Sequence, residues 1–200
     1  MQENPFATRF TKPGQEFVPP VAMASLQSVV ERFQRQGQCG QIVGPHGCGK
    51  TTLAYALSSP LRSAYREIQF LVIRRSGRLR LGVELTSARR GSGQGLLRVV
   101  DGVECLSPLQ RRCLVKCCQN QDGGLLLTTH RVMLGVGVLQ KLSPSLKHFQ
   151  LIVEHLIRSP EETVEIDKVR DAFERHAGNY RESLMHLYDT YQRQLANNDG

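Results

Sequence analysis

Gly44-Pro45-His46-Gly47-Cys48-Gly49-Lys50-Thr51 is a glycine-spaced run that ends in lysine and threonine. Its glycines let successive backbone N–H groups turn toward one point, where they can hold phosphate oxygens. Gln41-Ile42-Val43 before it reads as a strand and residues 51–57 after it as a helix, so the run sits at the strand-to-helix junction that a phosphate-binding P-loop requires. A helix opening at Lys50 aims its positive end at the same anion. The expected ligand is a purine nucleoside triphosphate, taken as Mg-ATP, cradled by Gly44, Pro45, His46, Gly47, Cys48, Gly49, Lys50, Thr51 and Thr52. Lys50 is expected at the β and γ phosphates and the Thr51 hydroxyl on Mg2+. No motif that would separate adenine from guanine is visible in the sequence.

Outward from this loop, strands and helices alternate. Leu96-Leu97-Arg98-Val99-Val100-Asp101 is an apolar run that delivers a carboxylate to a strand end, where nucleotide sites of open α/β sheets lie. Residues 124–128 form a second such run, followed by Thr129 and His130. Residues 68–73 and 79–85 read as strands joined at Ser76-Gly77, and residues 136–142 as a further strand. Ser107-Pro108-Leu109-Gln110 carries a capping serine, a first-turn proline and a reciprocating glutamine, and predicts a helix to about residue 119. An amphipathic helix over residues 21–35 is expected to break at Gly37 and Gly40. After residue 142 come three helices with no strand between them, the middle one capped by Asp167.

Alternation of this kind implies a parallel sheet covered on both faces, the three-layer α/β sandwich of P-loop NTPases, followed by a small helical lid. Residues 1–20, with four prolines, are expected as an extended N-terminal arm, residues 21–142 as the nucleotide-binding core and residues 143–200 as the lid.

Two hundred residues suffice for such a domain, and 40% hydrophobic with 22% charged residues is ordinary globular usage. No signal-peptide pattern opens the sequence and no apolar run approaches a membrane span, so the expectation is a cytoplasmic chain with no membrane partner. Six irregularly spaced cysteines argue against a disulfide framework. Cys113 and Cys117 share a helix face with Leu109 and are expected to be buried rather than to bind zinc. Cys48, near Lys50 and a helix start, is in a setting that lowers thiol pKa and would make the loop redox-sensitive, though a plain spacer is the favoured reading. The net charge is +8, and nine arginines from Arg62 to Arg98 face only Glu67 and Glu84. That segment is a candidate basic face for DNA or a protein partner, or a merely solvated surface.

Together these residues resemble the AAA+ branch of P-loop ATPases over most of the chain. The likeness rests on the P-loop, the Asp101 strand (Walker B), a polar residue ending the next strand at Thr128 or Thr129 (sensor one), and Gly178-Asn179-Tyr180-Arg181-Glu182 (sensor two). It implies that Asp101 helps to hold Mg2+, that Thr129 takes the sensor position and that Arg181 reaches the γ-phosphate. Helix capping accounts equally for Gly178, Asn179 and Glu182, though not for Arg181. Asn4-Pro5-Phe6 is similar to a short box flanking adenine in some members. The family also implies a homo-oligomer with an arginine donated between subunits, for which Arg111, Arg112 and Arg131 are candidates.

One position departs from the family. Its water-polarising glutamate follows the Walker B aspartate directly, and here that residue is Gly102. Glu104 is the nearest carboxylate and could act as base only if the chain coils back after Asp101. His130 offers a γ-phosphate contact like the switch histidine of ABC-type ATPases, or is a solvated histidine at a strand end. Three functions follow: an ATPase switch acting on a macromolecular partner, a non-hydrolysing ATP-binding module, or a small-molecule kinase.

Overall fold

Five strands in the computed structural model, β1 (Cys39–Val43), β2 (Glu67–Val72), β3 (Leu96–Asp101), β4 (Gly124–Thr129) and β5 (Gly137–Lys141), form one sheet of order β2-β3-β4-β1-β5. Every pairing is parallel. The structure describes residues 4–7, 18–20, 23, 25–73, 95–119, 123–157 and 165–198. The strand expected at 79–85 lies outside them, as do six of the nine arginines of the basic segment. β2 meets the expectation as a strand, but its partner is the Asp101 strand, in parallel.

Parallel strands need long crossovers: α2 (Lys50–Leu61) joins β1 to β2, and α3 (Pro108–Gln119), after a 3-10 turn at Val103–Cys105, joins β3 to β4, while α1 (Leu26–Arg35) precedes β1. Side chains alternate across the sheet, which sorts its residues into two layers. On one face lie Phe70, Val99, Leu126 and Ile42, and Tyr55 of α2 stacks on Phe70 with ring centroids 4.1 Å apart. On the other, Cys39, Val100, Leu125 and Leu127 form one buried cluster with Leu114 of α3. Asp101 and Thr128 share the α2 face, whereas Thr129 and Gln41 share the α3 face.

The capping box of α3 forms as expected: Gln110 N–H donates to Ser107 Oγ at 3.3 Å and Ser107 N–H to Gln110 Oε1 at 2.9 Å. Several local expectations are corrected. α1 starts at Leu26, because Ser25 caps it through Ser28 N–H, and not at residue 21. The break after α1 is made by Gly37 and Gln38, both with positive φ. Gly40 instead lies in β1, where a Cβ would sit 2.5 Å from Leu139 Cγ. Asp167 does not cap its helix; Glu165 occupies that position. Arg98 is 3% exposed, so it is no part of a basic face. Cys113 and Leu109 are exposed, since α3 packs through Leu114.

Helices α4 (Leu146–Leu156), α5 (Ile166–Arg175) and α6 (Tyr180–Asn198) share an aromatic core in which Phe149 stacks on Tyr180. The N-terminal residues are not simply extended. Asn4, Pro5 and Phe6 make a turn that Asn4 Oδ1 closes on Phe6 N–H at 3.0 Å. Asn4 Nδ2 donates to Tyr188 O and Gln192 Oε1 of α6, and Phe6 meets Tyr191 edge-on.

The chain divides into two compact units, one comprising Ala24–Gly44 with Leu53–Leu142, the other Met1–Met23, Pro45–Thr52 and Ser143–Gly200. Among the described residues no helix is long and apolar enough to cross a membrane.

Candidate functional site

The glycine loop has the backbone its sequence demands. Gly47 and Gly49 stand at φ 70° and 89°, left-handed values that let neighbouring N–H groups turn inward. Lys50 is 7% exposed, and its ammonium donates to Pro45 O at 2.6 Å. Cys48 is 3% exposed. Burial pushes its thiol pKa up more than the Lys50 charge pulls it down, which overturns the expected lowering. A nearby lysine favours the thiolate, but loss of solvation opposes it, and here burial is the larger effect.

A side chain from α6 lies against this loop. A Cβ on Gly47 would sit 1.7 Å from Asn179 Oδ1. The same Asn179 caps α6, its Oδ1 accepting Glu182 N–H at 3.3 Å, while Gly178 N–H closes the preceding helix on Phe173 O. The capping account of this segment therefore holds, and Asn179 does more than cap. Arg181, two residues on, is exposed.

Tyr180 and His148 extend the contact inward. His148 Nε2 lies 2.8 Å from the Val18 carbonyl, so Nε2 carries the proton and Nδ1 accepts from the Tyr180 hydroxyl at 3.2 Å. That hydroxyl accepts Ser145 N–H at 2.8 Å. Burial lowers the His148 pKa below 6.5, offset in part by the Val18 carbonyl. A histidine depressed in the fold binds fewer protons than in the unfolded chain. Its contribution is then complete above about pH 6.5 and is lost as pH falls through the folded value. The melting temperature should drop between about pH 7.5 and about pH 5, and drop less in His148→Gln; equal slopes in thermal scans would refute the assignment.

At the sheet edge, Asp101 Oδ1 accepts a hydrogen bond from the Thr128 hydroxyl, its register partner across β3 and β4. Thr129 faces the other layer and donates to Gln41 Oε1 at 3.1 Å. Of the two candidate sensor threonines, Thr128 is the one bonded to Asp101 and Thr129 the one bonded to Gln41. Gln41, which the sequence reading treated only as strand, is fully buried and uses its whole amide. Its Nε2 donates to Met133 O and Val136 O, and its Oε1 also accepts Met133 N–H. It anchors the loop that follows His130. The phosphate loop leaves β1 at this same edge, where Gly44 N–H donates to Thr129 O.

After Asp101 the chain coils. Gly102 takes φ 85°, ψ 27°, and a Cβ there would lie 2.4 Å from the Ile73 carbonyl oxygen. The turn returns Glu104 toward β4, where Glu104 Oε1 meets His130 Nε2 at 2.6 Å. Arg111 staples the turn: Nε donates to Val103 O and Leu106 O, and an Nη2 hydrogen to Glu104 O. Of the three arginines expected as intersubunit candidates, Arg111 thus spends Nε and one Nη2 hydrogen on its own turn, while Arg112 and Arg131 are exposed.

Among the described residues no three His, Cys, Asp or Glu side chains are placed to hold a metal by themselves. Mg2+ does not ask for such a cage, since one or two oxygen ligands from the protein are usually completed by phosphate and water. A carboxylate such as Asp101 and a hydroxyl such as Thr51 are the right donors for it, and the glycine turns and buried ammonium suit the phosphates.

A parallel sheet flanked by helices, with a glycine loop after β1 and an aspartate ending β3, is the three-layer α/β fold of P-loop NTPases. Solved structures carry the same fold. A mutant of Thermotoga maritima RuvB matches with a TM-score of 0.62 at 16% identity, covering 88% of this chain and 62% of that one. A DNA replication initiation factor matches at 0.57 and 16%, over 90% and 70%. Aquifex aeolicus DnaA bound to AMPPCP matches at 0.54 and 19%, over 78% and 56%. The chain spans 57% to 62% of the RuvB chains it matches. No protein-family model matches the chain, and no curated protein does.

Proposed function

We propose that this chain binds Mg-ATP at the end of β1 and acts as a nucleotide-dependent switch on a macromolecular partner. The observation that carries the reading is Lys50: an ammonium 7% exposed, at the head of a glycine-turned loop, whose acceptor is the neutral Pro45 carbonyl. A buried cation is stabilised far better by an anion than by one amide dipole. The backbone of residues 44–52 and Lys50 hold the phosphates, Thr51 and Asp101 hold Mg2+, Thr128 orients Asp101, and Arg181 reaches the terminal phosphate. Mg2+ supplies charge neutralisation on the phosphate oxygens when bound.

The partner we assign is DNA, in a homo-oligomeric cytoplasmic assembly. Support comes from the fold neighbours, which include a DNA replication initiation factor, and from the exposed Arg62 and Arg66. Gly102 favours a second reading, a module that binds ATP without hydrolysing it. Nothing described favours a small-molecule kinase.

Titration of a fluorescent ATP analogue tests the reading. Lys50→Ala should weaken binding by roughly 100-fold, the loss of a charge-assisted contact to phosphate. Wild-type protein that fails to bind, or Lys50→Ala that binds equally, would refute it. GTP competition and added duplex DNA in the same assay settle base preference and partner.

A further inference from the structure

We propose that Glu104 and His130 form the water-activating pair of this site, Glu104 as proton acceptor and His130 as the residue that positions it. The inference rests on the Mg-ATP reading above.

Position 102 cannot serve, because the left-handed backbone there aims a Cβ at the Ile73 carbonyl, 2.4 Å away. The same left-handed residue starts the 3-10 turn, closed by Cys105 N–H on Gly102 O at 2.9 Å, which carries residue 104 back to β4. Two independent braces hold the pair. On one side Arg111 fixes the carbonyls of Val103, Glu104 and Leu106. On the other, His130 directly follows β4, between Thr128, bonded to Asp101, and Met133, pinned by Gln41. A carboxylate whose backbone Arg111 staples and whose Oε1 meets His130 Nε2, one turn beyond the residue assigned to Mg2+, has the preorganisation a general base needs.

Stability does not explain the pair. The Glu104 and His130 side chains are 39% and 22% exposed, a setting in which solvent screening leaves an ion pair little stabilising effect. Exposure of this kind admits water. In the step assigned to it, Glu104 takes a proton from the water whose oxygen bonds the terminal phosphorus as the bond to the bridging oxygen breaks. The products are ADP and phosphate, and Glu104 returns the proton to solvent. His130 Nε2 donates to Oε1 and fixes the carboxylate's orientation.

Phosphate release, ATP affinity and the imidazole NMR signals of nucleotide-free protein test the pair together. Glu104→Gln should cut turnover by about 100-fold or more, the usual contribution of a general base, with affinity within about threefold of wild type. His130→Ala should lower kcat about tenfold at unchanged KM, and His130→Gln, whose amide can still donate, should recover part of it. The double variant should be no slower than Glu104→Gln alone. In protein without nucleotide, Glu104→Gln should shift the His130 ring N–H resonance. Wild-type turnover in Glu104→Gln, or an unshifted resonance, would overturn the proposal. Wild-type protein that binds ATP but releases no more phosphate than Lys50→Ala would overturn it while leaving the binding reading intact. Absence of ATP binding would overturn both.

Discussion

Gly102→Glu, the substitution that places a glutamate directly after Asp101, should destabilise this protein by about 2–4 kcal/mol and leave phosphate release no faster. The reasoning is conformational. At φ 85° a β-carbon costs about 1–2 kcal/mol by itself. Here that β-carbon also meets the Ile73 carbonyl at 2.4 Å, and Ile73 N–H in turn donates to Asp101 O, so neither strand can yield without loosening the other. Relaxation would have to unwind the turn that presents Glu104. Urea denaturation should show most of the loss already in Gly102→Ala, since the obstacle is the β-carbon and not the charge. A Gly102→Glu protein of wild-type stability with faster turnover would show that the site lacks only a side chain.

The second large effect is expected at Gly47. Alanine there adds left-handed strain and places a methyl 1.7 Å from Asn179 Oδ1, so Asn179 must leave and the cap on Glu182 N–H goes with it. The combined loss should be about 2–3 kcal/mol, with ATP affinity reduced at least roughly tenfold because the phosphate loop is rebuilt. Asn179→Ala alone should cost about 1 kcal/mol, the ordinary value of a cap. The pair should be non-additive: with Asn179 truncated, Gly47→Ala should cost about 1 kcal/mol less than in the wild-type background. A strictly additive cycle would mean that the two residues do not touch. The cycle also has a functional meaning, since a residue that both caps α6 and lies on the phosphate loop links the lid to whatever the loop holds.

The fold was legible in the sequence because its main signals are local. The glycine loop is a backbone requirement written in residue types, and the 107–110 capping box sits within four consecutive positions. Long apolar runs gave the parallel strands. The same runs hid which way each residue faces: Leu125-Leu126-Leu127-Thr128-Thr129 is buried on both sides, so no alternation separates Thr128 from Thr129. Only the register with Asp101 resolves them.

The parts of the site that escaped the sequence are products of chain reversal. Glu104 and His130 lie on different strand ends, and the coil that joins them depends on one dihedral angle at Gly102. The bracing by Arg111 was hidden because its three carbonyl acceptors come from a turn that the sequence did not announce. Cys48 was misjudged because charge proximity is visible in sequence and burial is not.

The order of the strands also bears on how the protein is made. β1 lies between β4 and β5, yet neither neighbour is close in sequence: its partners are Gly124–Thr129 and Gly137–Lys141, and no hairpin stands in for them among the described residues. On the ribosome the phosphate loop therefore emerges long before the strands that seat it. Parallel pairing at such separation is slow and leaves apolar strands unpaired meanwhile. If the loop holds the proposed ATP, a growing chain should not retain it until β5 has cleared the exit tunnel.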